Sequence, residues 1–134
     1  MLVKDYMTAD PITISSDTSL MDAGKLIRKH NFRRLPIMSE GTLVGIITDR
    51  DLRDAGPSKA NALSVYELNY LLNDLKVEEI MKSPVITVQA DDDIKVAAQY
   101  IIDKKISGLP VMTEGKLVGI ITITDILRAL MDAA

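Results

Sequence analysis

Displacing the chain by 74 positions lays residues 3–55 on 77–129 without a gap, and twenty of the fifty-three pairs are identical. Leu35-Pro36 falls on Leu109-Pro110, Glu40-Gly41 on Glu114-Gly115, and Leu43–Thr48 repeats entire as Leu117–Thr122. A period of this length means that one supersecondary unit is used twice. The sequence therefore predicts a first copy over residues 1–56, a linker over 57–76 and a second copy over 77–134. A chain of 134 residues buries roughly two-thirds of its unfolded surface, enough for a real core.

Each copy reads β-α-β-β-α. Short β-rich runs at Ile12-Thr13-Ile14 and Val85-Ile86-Thr87-Val88 open the copies. Leu20, Ala23 and Ile27, and then Ile94, Ala97, Ala98 and Ile101, place one apolar face on each of two helices. Asp17-Thr18-Ser19 and Asp91-Asp92-Asp93 supply N-caps and favourable charge at the helix starts. Gly24 weakens the first helix, as expected where a backbone packs closely. Strands follow at Leu35–Met38 and Leu43–Thr48, and at Leu109–Met112 and Leu117–Thr122, with hairpin turns at Ser39-Glu40-Gly41 and Thr113-Glu114-Gly115. A last helix begins after Thr48 and after Thr122, and Gly56-Pro57 ends the first of these early. Consecutive apolar residues in the paired strands call for cover on both sheet faces. The fold class expected is α+β: two tandem β-α-β-β-α repeats packed through a pseudo-twofold axis. In the linker, Ser64-x-x-Glu67 is a capping box opening a helix over Ser64–Leu75, which either lies on its own module or joins a subunit interface.

Composition removes several function classes. The absence of cysteine excludes disulfides, cysteine–zinc sites and thiol catalysis, and fits a reducing cytoplasm. A single histidine, His30, leaves no multi-histidine metal site, so no metal is expected. A net charge of −3 and five aromatic residues argue against nucleic-acid binding. No apolar run has the roughly 18–20 residues needed to cross a bilayer, and the N-terminus lacks the pattern of a secretory leader. No nucleophile–base pair is visible, so no catalytic residue is assigned and an enzyme is not expected.

The repeated signature is Gly45-Ile-Ile-Thr48-Asp-Arg-Asp51 and Gly119-Ile-Ile-Thr122-Ile-Thr-Asp125. Its bland reading is a variant capping box, with Thr as N-cap and Asp in the first helical turn. The same residues also suit a nucleoside phosphate. A threonine hydroxyl can donate to phosphate or ribose, and a carboxylate accepts from two neighbouring hydroxyls such as a ribose diol. That second reading requires carboxylates overlooking open grooves; acids buried and held by protein groups count against it. Gly45 and Gly119 either admit close backbone packing or leave room for a ligand. Lys25, Arg28, Lys29 and His30 read as a solvated helix end, while Arg33 and Arg34 sit at the mouth of a strand.

The paired pattern Met7…Thr13…Leu35-Pro36…Gly45-Ile-Ile-Thr-x-x-Asp51, repeated 74 residues on, resembles tandem cystathionine-β-synthase (CBS) domains, the Bateman module. The linker segments at 56–60 and 63–72 are similar to those of CBS-pair proteins associated with acetoin utilisation. The resemblance implies a regulatory module that binds AMP, ADP, ATP or S-adenosylmethionine in clefts between the repeats, with no required cofactor. It implies that Asp51 and Asp125 hold ribose hydroxyls and that Thr48, Thr122 and Thr124 reach ribose or phosphate. Each site is expected to borrow the segment before Leu-Pro from the other repeat: Arg33 and Arg34 for Asp125, Ser107 and Gly108 for Asp51. Ile12, Thr13, Ile86 and Thr87 are the expected adenine walls.

Arg50 and Thr124 break the symmetry, and with Arg33 and Arg34 assigned to it, the Asp125 cleft is expected to be the better phosphate binder. A homodimer is expected, acting on a separate effector protein. The competing expectation is an interaction module whose clefts stay empty.

Overall fold

The computed structural model describes residues 1–55, 67 and 73–133, and the chain divides into two compact units. Residues Ile12–Val85 form one; Met1–Pro11 together with Ile86–Ala134 form the other. The spatial units are thus cut differently from the sequence repeats. Each repeat's leading segment belongs to the unit built by the rest of the other repeat.

In the contiguous unit, β2 (Ile14–Ser15) pairs in parallel with β3 (Arg34–Ser39), which pairs antiparallel with β4 (Thr42–Thr48). Helix α1 (Leu20–His30) makes the crossover and α2 (Asp49–Ala55) follows β4. The discontinuous unit has the same plan: β5 (Val88–Gln89), α3 (Ile94–Lys104), β6 (Gly108–Thr113), β7 (Lys116–Thr122) and α4 (Ile123–Ala133). One more strand, β1 (Thr8–Ala9), completes it by pairing antiparallel with β7, Thr8 opposite Ile120 and Ala9 opposite Gly119. This strand was not expected, and the opening strands are shorter than expected. Ile12 and Thr13 lead into β2, and Ile86 and Thr87 into β5, without joining the ladders.

Local chemistry explains the elements. Ser19 accepts from the Asp22 N–H at 3.1 Å and Asp93 from the Lys95 N–H at 2.9 Å, capping α1 and α3; such a cap contributes about 1 kcal/mol. Asn31 and Lys105 close those helices in the left-handed region. Both hairpins turn on two residues of positive φ, Glu40-Gly41 (50° and 79°) and Glu114-Gly115 (49° and 77°), as a type I′ turn requires. What lies against Gly24 is the guanidinium of Arg28 in its own helix, not a neighbouring backbone. Of the expected linker helix, Glu67, Asn73 and Asp74 are helical and Leu75 already lies past the helix end; the rest of Ser64–Leu75, like Gly56-Pro57, lies outside the described residues.

The two cores match position for position. Leu20, Ala23, Leu35, Ile37, Ile47 and Val77 are buried in one unit, and Ile94, Ala97, Leu109, Val111, Ile121 and Val3 in the other. Burying a leucine or isoleucine contributes about 1.5–3 kcal/mol. The leading segments are sewn in by equivalent bonds. The Val3 and Ile94 N–H groups donate to Asp92 and Met1 carbonyls, both at 2.9 Å; those of Val77 and Leu20 donate to Thr18 and Leu75 carbonyls at 2.8 and 3.0 Å.

Candidate functional site

In both units the candidate site is the passage from the last strand into the last helix. The Thr48 N–H donates to Asp51 Oδ2 at 2.9 Å, and the Asp51 N–H donates back to Thr48 Oγ1 at 3.0 Å. Thr122 and Asp125 repeat this at 2.9 and 3.3 Å. Capping boxes are therefore present in both copies, each satisfying two backbone donors that the helix leaves over. The strand before each helix is held in place from the side: the Asp49 N–H donates to the Arg33 carbonyl at 2.9 Å and the Ile123 N–H to the Ser107 carbonyl at 3.1 Å.

Beyond the shared box, the units differ. The Thr122 hydroxyl also donates to Asp125 Oδ2 at 3.0 Å, and Arg128 Nη1 stands 3.5 Å from Oδ1. Asp125 is only 4% exposed, the one buried charged residue among those described. Asp51 keeps more solvent, and its Oδ1 faces Lys82 Nζ at 3.7 Å. Lys82 comes from the leading segment, where its N–H and carbonyl bridge Ile46 at 3.0 and 3.2 Å. Its role is not assigned by the sequence reading. The signal was available, because position 82 falls on Thr8 in the repeat offset, a cation against a neutral hydroxyl.

The residues before Leu-Pro lie beside the helix start of their own unit. Arg34 stands opposite Thr48 in the β3–β4 ladder and Gly108 opposite Thr122 in β6–β7. Within each unit, register puts Arg34 beside the Asp51 box and Gly108 beside the Asp125 box; that Arg33 and Arg34 serve Asp125, and Ser107 and Gly108 serve Asp51, concerns residues of different units and stays a proposal. Arg50 and Thr124 are both exposed on the first helical turn, Arg50 paired loosely with Asp54 at 3.9 Å. Ile12 and Thr13 are exposed; Ile86 and Thr87 are half-buried, Ile86 packing on the unit's core.

The two strand glycines have a definite neighbour. A Cβ on Gly45 would lie 2.2 Å from Met81 Sδ; one on Gly119 would lie 2.5 Å from Met7 Sδ and 2.9 Å from the Thr8 carbonyl. Both glycines therefore admit the leading segment, and close packing is the alternative the structure favours.

Among the described residues, no group of three or more histidine, cysteine, aspartate or glutamate side chains could hold a metal ion, and no helix is long and apolar enough to cross a membrane.

Comparisons with known proteins agree with this architecture. The CBS domain model matches residues 3–58 and again 77–132. The solved CBS domain pair of protein MJ0100, in complex with 5′-methylthioadenosine and S-adenosylmethionine, is 38% identical, with a TM-score of 0.79 over 100% of this chain and 98% of that one. A putative acetoin utilisation protein (AcuB) from Vibrio cholerae is 30% identical, with a TM-score of 0.78 over 99% and 92%. CBSX2 in complex with AMP is 26% identical, with a TM-score of 0.83 over 98% and 97%. Protein MJ1225 of Methanocaldococcus jannaschii is 37% identical over 95% of this chain, which spans 46% of that relative's length. The duplicated strand–helix boxes and both family matches lead to one statement: this chain belongs to the CBS-domain family, as a tandem CBS pair.

Proposed function

We propose that the chain is a regulatory, ligand-sensing module that binds adenosine-containing ligands at the Thr–Asp ends of its two CBS repeats and does not turn them over. The observation that carries this reading is the pair of matched boxes in a chain 38% identical, along its whole length, to a CBS pair solved with two adenosine derivatives. In each box Oδ2 is engaged by the backbone, while Oδ1 faces a cation side chain, Lys82 or Arg128. A carboxylate oxygen has two acceptor sites, so Oδ1 retains capacity for a ribose hydroxyl once the cation moves aside. AMP, ADP, ATP and S-adenosylmethionine are the ligands to be tested, with Ile12, Thr13, Ile86 and Thr87 as adenine walls. Ligand binding alters the module only through unequal affinity for its two states.

A second reading rests on a specific observation. Asp125 is buried and held by Thr122 and Arg128, as befits a purely structural cap in an interaction module. Calorimetric titration with AMP, ADP, ATP and S-adenosylmethionine separates the two. Saturable binding that weakens in Asp51→Asn supports the sensor, and no binding by the unaltered chain at millimolar ligand supports the structural module.

Our reading also makes the module a cytoplasmic homodimer acting through a separate effector protein. Ile123, Leu127, Leu130 and Met131 leave an exposed apolar stripe along α4, which supports pairing through that helix. Sedimentation of the chain and of Leu130→Glu tests it: a dimer becomes a monomer.

A further inference from the structure

Resting on the sensor reading above, we propose that Lys82 makes the Asp51 unit selective for a phosphate-bearing adenosine, and that Thr8 at the equivalent position leaves the Asp125 unit to adenosines with an uncharged 5′ group. The two positions are equivalent in structure and not only in sequence. Lys82 bridges Ile46 beside β4, and Thr8 pairs with Ile120 in β7, the counterpart of Ile46. Both therefore flank the strand that delivers the Thr–Asp box.

The Lys82 ammonium is positioned for exchange. It stands 3.7 Å from Asp51 Oδ1 and its side chain is 68% exposed, so the pair is a weak, solvent-screened one that a better partner displaces at small cost. A ribose diol donating to Oδ1 replaces the lysine as that oxygen's partner. The ammonium is then left next to the sugar's 5′ substituent, where a phosphate gives it a charge-assisted hydrogen bond. Arg50 and the Arg34 position opposite Thr48 add to the cationic side of this unit.

The Asp125 box has none of these arrangements. Its cation, Arg128, comes from the same helix as the carboxylate it faces, one turn further on. The Thr122 hydroxyl already spends its proton on Asp125, so in this arrangement it has no proton to give a phosphate. Thr8, Thr124 and Gly108 stand in that unit where the other has Lys82, Arg50 and Arg34.

The test is isothermal titration of the unaltered chain, Lys82→Thr and Thr8→Lys with AMP and, separately, 5′-methylthioadenosine. The two ligands differ in the charge of the 5′ group. The proposal expects Lys82→Thr to weaken AMP binding about tenfold and to leave 5′-methylthioadenosine within about twofold, with Thr8→Lys strengthening AMP binding. Lys82 is exposed, so the variant leaves the core intact. Equal losses for both ligands, or no loss of AMP affinity, overturn this inference and leave the sensor reading standing. Binding of neither ligand by the unaltered chain overturns both.

Discussion

Asp51 and Asp125 occupy the same place in two copies of one motif, yet the structure treats them differently. Both accept from the backbone of a threonine three residues earlier, at 2.9 Å. Asp125 is then buried and fully drawn into its own helix start by the Thr122 hydroxyl and Arg128, whereas Asp51 faces a lysine brought in by a distant segment. Identical local sequence fixes the box; residues outside it decide what the box is free to do. Duplication has left one copy more structural and the other more charged.

The largest effect that would sharpen this contrast concerns the glycines under the leading segments. Gly119→Ala should cost about 2–3 kcal/mol, because the new methyl meets the Thr8 backbone carbonyl as well as Met7, and β1 must shift. Gly45→Ala should cost about 1 kcal/mol, since the atoms nearest the new methyl all belong to the Met81 side chain, whose flexible end can swing away. Urea unfolding of both variants decides it, and equal losses would break the asymmetry.

Next in size are the boxes themselves. Asp125→Ala strands two part-buried Thr122 donors and should destabilise by about 2 kcal/mol. Asp51→Ala, more exposed, should cost about 1 kcal/mol. A reversed order in chemical denaturation would show that burial is not what separates them.

The smallest effect is a pH dependence at a position that carries a titratable group in one unit and an aliphatic residue in the other. The Tyr6 hydroxyl donates to Asp132 Oδ2 at 2.9 Å, which raises the phenol above its ordinary range; the equivalent residue in the other unit is Ile80. A group whose folded pKa is raised contributes stability that is complete below its unfolded pKa and lost as pH rises through the folded one. Tyr6→Phe should therefore lower Tm slightly at neutral pH, and the difference from the unaltered chain should vanish in strongly alkaline solution. A gap that persists there would assign the effect to packing.

Much of this was legible in the sequence. Glu-Gly at each hairpin, Ser19 and Asp93 at the helix caps and the apolar faces of α1 and α3 all follow from local rules, because their partners lie within a few residues. The exchange of leading segments was not legible, since a repeat offset says what is equivalent and not which sheet an equivalent piece joins. Lys82 was passed over although the Thr8 mismatch was in view. Met7 and Met81 are likewise explained only by the glycines beneath them, 112 and 36 residues away along the chain by their numbering.

The account stands most directly on calorimetric titration of AMP into the unaltered chain and into Asp51→Asn and Asp125→Asn, since asparagine keeps the box's acceptor oxygen and removes the charge. It predicts saturable AMP binding that falls about tenfold or more in Asp51→Asn and much less in Asp125→Asn. AMP affinity unchanged in Asp51→Asn, or lost only in Asp125→Asn, would contradict it.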